Sequence, residues 1–183
     1  MNESNYYKSE LIHIRRDDDM DKEWIYIKED DNKVRYVLGY KGNKTLICLG
    51  INPSTAEPNK LDNTLKSVER IAINNGYDSF IMLNVYPVRQ TIFQELEQKA
   101  QEIFFKRNLK EIENIIASMS GVIDVWIAFG NLIEDRDYLM KSWEEIDKIL
   151  KKYNVTYYCA GINNTGMPKH PLYLKSNTKL QKL

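Results

Sequence analysis

The segment Gly166-Met-Pro-Lys-His-Pro-Leu-Tyr173 sets His170, one of two histidines in the chain, between Pro168 and Pro171. Proline fixes its own φ at about −65° and restrains the preceding residue to extended backbone, so Met167 and His170 are both held. An imidazole held this way is aimed, either at a ligand or at neighbouring structure. Its neutral N–H can stabilise negative charge developing on a ring carbonyl. Three asparagines stand in other loop-like stretches: Asn52 in Gly50-Ile-Asn-Pro-Ser-Thr55, Asn84 in Asn84-Val-Tyr-Pro-Val-Arg89, and Asn131 after Phe129-Gly130. A carboxamide presents a donor beside an acceptor, which complements the edge of a nucleobase.

Other chemistries lack their residues. No carboxylate pair suggests acid–base work, and the scattered His and Cys residues have none of the spacings of zinc sites. GxxxxGK[ST] and GxGxxG are absent, so no metal or cofactor is expected. Each candidate also has a structural reading. Asn52 can cap a turn before Pro53, Asn84 can satisfy loop backbone, and His170 can be a packed loop residue. Arg89 can pair with the acidic N-terminal part. His13, in Leu11-Ile-His-Ile14, reads as structural, and Asp17-Asp18-Asp19 as a solvated turn.

The elements that must position these residues alternate along the chain. Trp24-Ile-Tyr-Ile27 and Val34-Arg-Tyr-Val-Leu38, joined by a turn-like EDDNK, read as a hairpin. Apolar runs at residues 45–49, 80–83, 122–128 and 155–159 read as buried strands. Between them, helical spacing starts at Thr64 as N-cap and stops at Asn75-Gly76, and runs through residues 92–119 in two pieces. Ile103, Leu109, Ile112, Ile115 and Ile116 are expected to face inward there. A last helix covers 135–151, with Leu139, Trp143, Ile146 and Leu150 on one face. This β-α-β-α-β-α-β order, with strands apolar throughout, predicts an α/β three-layer sandwich: a mostly parallel four-stranded central sheet plus an N-terminal β-hairpin. In such a sheet the loops after the strands share one edge, where ligands bind. Asn52, Asn84, Asn131 and His170 are expected to meet there.

The chain of 183 residues, 43% hydrophobic and 28% charged, fits one domain: an extension over 1–22, the hairpin over 23–41 and a core over 45–173. Cys48 and Cys159 lie in apolar runs, which suits reduced thiols and a cytoplasmic location. MNESNYYKSE lacks the features of a signal peptide, and no apolar stretch reaches the ~20 residues of a membrane span. Zero formal net charge argues against a strongly basic nucleic-acid binder. Residues 1–32 nonetheless carry −5, and residues 151–183, with six lysines and no acid, carry +6. The His170 end is thus a candidate landing place for phosphate.

Gly50-Ile-Asn-Pro53, Ile81-Met-Leu-Asn84 with Pro87-Val-Arg89, Ile127-Ala-Phe-Gly130 and Lys169-His-Pro171 resemble, in order, four motifs of the uracil-DNA glycosylase superfamily. The combination of NPSTA, Asp62-Asn-Thr64, MLNVYPVR and PKHPLYL also resembles a bacterial and phage family known only as a domain of unknown function. The superfamily resemblance implies a uracil-DNA-glycosylase-like fold and hydrolysis of an N-glycosidic bond in a flipped or modified nucleotide, as in DNA repair or phage-related chemistry. It implies that Asn52 orients the attacking water and His170 stabilises charge on the base. Asn84 would read the base edge and Tyr86 would stack on it. Arg89 and Lys169 would hold flanking phosphates, with Ser54 and Asn131 as further binding residues.

The pattern departs at Ser54-Thr55 after the first proline and at Leu172-Tyr173 after the histidine, leaving Leu172 as the candidate wedge into a duplex. The expected partner is a nucleic acid or nucleotide, with no membrane. Two further readings stand beside the glycosylase: a hydrolase or transferase of free nucleosides or nucleotides, and a non-catalytic nucleotide or nucleic-acid sensor.

Overall fold

A computed structural model describes residues 11–12 and 22–183. His13 and Asp17-Asp18-Asp19 lie outside the described residues. The strands are β1 (Leu11–Ile12), β2 (Trp24–Lys28), β3 (Arg35–Tyr40), β4 (Thr45–Gly50), β5 (Ser79–Asn84), β6 (Ile123–Ile127), β7 (Val155–Cys159) and β8 (Gln181–Lys182). Helices α1 (Asn63–Asn74), α2 (Glu102–Ala117) and α3 (Asp137–Leu150) connect the parallel strands, and short 3₁₀ turns cover Phe93–Glu95, Asn131–Glu134 and Pro171–Tyr173.

All eight strands form one mixed sheet in the order β1-β2-β3-β5-β4-β6-β7-β8. The expected four parallel strands are its centre, β5-β4-β6-β7. The sheet is larger than four strands plus a separate hairpin. β3 pairs antiparallel with β5 (Leu38 opposite Met82), and β8 pairs antiparallel with β7. The physical reason is edge satisfaction, since both outer strands of the parallel set would otherwise carry unpaired backbone groups.

The two faces are covered differently. Ile112, Ile115 and Ile116 of α2 and Leu139, Ile146 and Leu150 of α3 pack on Ile47, Leu49, Ile81 and Val125. On the opposite face Leu65, Val68, Ile71 and Ala72 of α1 pack on Leu46, Cys48, Phe80 and Trp126. Cys48 and Cys159 are buried free thiols. Three local expectations shift. Asp62, not Thr64, caps α1 by accepting the Leu65 N–H at 2.9 Å, and Gly76 with φ +81° follows the helix. Ile103 is 72% exposed: α2 begins at Glu102, and its buried residues start only at Asn108. Val122 precedes β6 and is exposed.

β3 contains the irregularity that matters most for the site. Its pairing with β2 shifts register between Ile27 opposite Val37 and Lys28 opposite Arg35. Tyr36 and Val37, though consecutive, both pack into the α2–α3 side. A bulge of this kind breaks the two-residue alternation and re-aims the flanking side chain. It brings Arg35 into phase with Leu38, on the α1 side.

Candidate functional site

In the parallel set β5-β4-β6-β7, chain connections leave β4 in one direction and return past it to β6. The gap between the carboxyl ends of β4 and β6 is therefore the switch point where open α/β sheets hold ligands. A cavity of about 550 Å³ opens there, within the range of small-molecule sites. Gly50, Ile51 and Asn52 after β4 and Phe129, Gly130 and Asn131 after β6 form its facing walls. His170 and Leu172 close one side, the start of α1 another, and Phe93 adds an aromatic ring.

His170 is placed by a tightly tied loop. Ile162 bridges Pro168, the Lys169 N–H donates to Gly161 O at 2.9 Å, and the Asn163 N–H donates to Met167 O at 2.8 Å. Ser67 Oγ of α1 donates to Pro171 O at 2.8 Å, pinning the next residue. Gly130, at φ +69°, lets the loop come close: a Cβ there would lie 3.2 Å from His170 Cβ. The Leu172 N–H donates to Nδ1 of His170 at 3.3 Å. That contact assigns the proton to Nε2. Burial pushes the imidazole below its ordinary range, with the Asp62 carboxylate opposing that shift, so His170 is neutral at pH 7.

Asn52 is fixed through its nitrogen. Nδ2 donates to Gln90 O at 2.8 Å and Pro53 O at 3.1 Å, which leaves Oδ1 as a free acceptor on a residue that lines the cleft. Asn84 behaves differently. It has 0% exposure, and neither atom of its carboxamide has a hydrogen-bond partner. It pairs with Gly50 in the sheet, and its Oδ1 lies 3.3 Å from where a Gly50 Cβ would stand, with Met82 Cε beside it. Asn84 thus lies behind the cleft floor, and the Met82 methyl stands at that floor.

The remaining candidates divide. Asn131 lines the cleft, its Oδ1 accepting from Asn163 Nδ2 at 2.7 Å and Thr165 Oγ1 at 2.9 Å. Ser54 lines it and shares a hydrogen bond with Thr91. Tyr86 stands elsewhere: it is fully buried on the α2–α3 side, its hydroxyl donating to Glu97 and accepting from Gln101 N–H. This second residue after β5 turns inward there, away from the cleft. Lys169 is outside the lining, its side chain lying along Gly161. Arg89 braces from behind, donating to Ser54 O, to Tyr26 Oη at 2.7 Å and to Ala56 O at 3.2 Å. In the basic C-terminal stretch, Lys151 pairs with Asp147 and Lys152 with Glu113.

The sequence reading did not name Arg35, Asp62 or Phe93 for the site. Arg35 lines the cleft with 0% exposure; its Nη1 donates to Ala56 O at 3.1 Å and its Nε has no partner. Burial first, then the charge of Arg89, pushes this guanidinium down to about 9, still charged at neutral pH. Asp62 is the one carboxylate in the lining. An N-cap signal was visible in Asp62-Asn-Thr64; nothing local marked Arg35, which depends on the bulge. Among the described residues no group of three or more His, Cys, Asp or Glu side chains could hold a metal ion, and no helix is long and apolar enough to cross a membrane.

No curated protein and no solved structure matches the chain. A family pattern does match, over residues 35–172, from the buried Arg35 of β3 through the loop that carries His170. The chain belongs to that family, described as "Protein of unknown function (DUF1643)".

Proposed function

We propose that the cleft takes a nucleobase and hydrolyses its N-glycosidic bond, as the resemblance to the uracil-DNA glycosylase superfamily implies. The observation that carries this reading is a neutral imidazole, with its proton on Nε2, in the same cleft as an asparagine whose Oδ1 is free and whose nitrogen is tied down. Water held at Asn52 Oδ1 attacks the anomeric carbon of the sugar, the C–N bond breaks, and its electron pair leaves with the base. The Nε2–H of His170 donates to the base carbonyl on which that charge collects. Asp62 is the acceptor at hand for the proton the water gives up. Phe93 and Phe129 take the stacking role first assigned to Tyr86.

Asn84 supports recognition of a polar edge. Leaving its buried donors and acceptor unmade costs about 1–3 kcal/mol per group, which a ligand edge recovers. Reaching it requires Met82 to swing aside, within the freedom of an unbranched thioether.

The test is incubation with oligonucleotides containing uracil, mismatched thymine or modified cytosine, and in parallel with free nucleosides and nucleoside monophosphates. Released base is measured by chromatography. His170→Ala and Asn52→Ala should each lower the rate by about 10²–10³-fold with the fold retained. Equal release by wild type and both variants removes the mechanism.

A further inference from the structure

The wall of the cleft made by the Ser54–Thr55 loop and the start of α1 has a donor set that base recognition leaves unused. The backbone N–H groups of Ser54 and Thr55 donate to nothing among the described residues, and neither do those of Asn63 and Thr64, the first two residues of α1. All four residues line the cleft. The loop around Ser54 is turned this way by its carbonyls: Pro53 O accepts from Asn52, Ser54 O from Arg89, and Ala56 O from both Arg35 and Arg89. With the carbonyls drawn back to these donors, the loop can present its N–H groups toward the cavity. The start of a helix adds two free donors and the positive end of its dipole.

Arg35 supplies the independent observation. It is a fully buried cation at this wall, with one nitrogen unpartnered and no carboxylate within ion-pair distance among the described residues. A buried charge without a counter-ion is costly, and an anion held against the wall would offset it. Asp62 stands on the same turn, with Oδ1 held by the Leu65 N–H. Its charge offsets part of Arg35's, so the wall suits one phosphate group better than a polyphosphate.

The rest of the lining says which phosphate. Asn63, Thr64, Gln90, Thr91, Asn131 and Tyr173 are all neutral, and Arg35 is the only lysine or arginine in the lining. A polynucleotide is held by several cations along its backbone, placed on the rim. Here the single cation is deep. Resting on the nucleobase reading above, we propose that the wall formed by Arg35, the Ser54–Thr55 loop and the first turn of α1 is an anion subsite. It takes the 5′-phosphate of a free nucleoside monophosphate, not a nucleotide within a strand.

Isothermal titration of the full chain tests this with deoxynucleosides, their 5′-monophosphates, deoxyribose 5-phosphate, inorganic phosphate and a single-stranded oligonucleotide. At least one monophosphate should bind about tenfold or more tightly than its nucleoside, as charge-assisted hydrogen bonds require. Thr55→Asp, at an exposed position where a carboxylate is easily accommodated, should abolish that advantage. Arg35→Met should do the same if it folds, and the Thr55 variant decides the matter if it does not. Equal binding of nucleoside and monophosphate overturns the subsite, as does an oligonucleotide that binds more tightly than any monophosphate. Deoxyribose 5-phosphate or inorganic phosphate binding as tightly as every nucleotide upholds the subsite and removes the nucleobase reading.

Discussion

Asn108 on α2 and Asn84 at the end of β5 are both carboxamides with no exposed surface, and their side chains stand on opposite faces of the sheet. Asn108 is used structurally: its Nδ2 donates to the carbonyls of Asn84 and Val85 at 2.9 and 3.3 Å, locking the turn after β5. The Asn84 carboxamide has no partner at either end. The difference follows from coverage. Two helices close the α2–α3 face, so Asn108 there spends its nitrogen on backbone carbonyls and leaves only its Oδ1 without a partner, whereas neither end of the Asn84 carboxamide is used. One helix covers the α1 face, and where it stops short the cleft begins. Unpaired amide, buried cation and neutral imidazole all collect at that boundary, where stability is given up and a ligand has something to complete.

This contrast can be broken by mutation. Truncating the closed face should cost most: Ile116→Ala, at a fully buried position, should lower unfolding free energy by about 2–5 kcal/mol in urea titration. Asn84→Leu should act in the opposite sense. Replacing an unsatisfied buried amide by a similar apolar volume should raise stability by about 1–2 kcal/mol while reducing ligand binding. A loss comparable to that of Ile116→Ala would mean that the two faces are packed to the same rule. Ser67→Ala should cost about 1 kcal/mol, since it strips the hydrogen bond that pins Pro171 to α1. Because that bond also seats His170, turnover should fall more than affinity, and Ser67→Thr should restore it. An equal loss in the two would leave Ser67 only a packing role.

The smallest effect concerns pH. His170 is held below its ordinary value of 6.5, so the folded state binds this proton less readily than the unfolded chain. Its contribution to stability is complete above the unfolded value and is lost as pH falls from there through the lowered folded value. His170→Gln should flatten this part of the stability–pH curve; His13 contributes equally to both proteins, so the difference isolates residue 170. Parallel curves between pH 7 and 5 would place the imidazole in water, contrary to its burial.

Much of the architecture was legible because its signals are local. Short uninterrupted apolar runs such as Leu46–Leu49 and Phe80–Leu83, bounded by turn residues, read as strands buried on both faces, and Asn75-Gly76 supplies the backbone that stops α1. The prolines around His170 announced a held imidazole. The site was legible only in part. Asn52, Ser54, Asn131 and His170 line one cleft, while Tyr86 and Lys169 lie away from it, Arg89 supports it from behind, and Asn84 sits beneath its floor. Ile103 was misplaced because helical spacing continues into a first turn of α2 that holds no buried residue.

By itself, then, the sequence determined the alternating strands and helices of the core, the parallel run of its four central strands, and which loops share an edge. These follow from hydrophobic period, turn chemistry and chain order. Tertiary structure alone decided the strand order, and with it the gap between β4 and β6. It also decided the pairing shift opposite Lys28 that turns Arg35 to the cleft, and the inward turn of Tyr86. Side-chain direction in a strand has a period of two, so a single bulge reverses it. Whether a bulge forms is set by the partner strand, not by the residues that it re-aims.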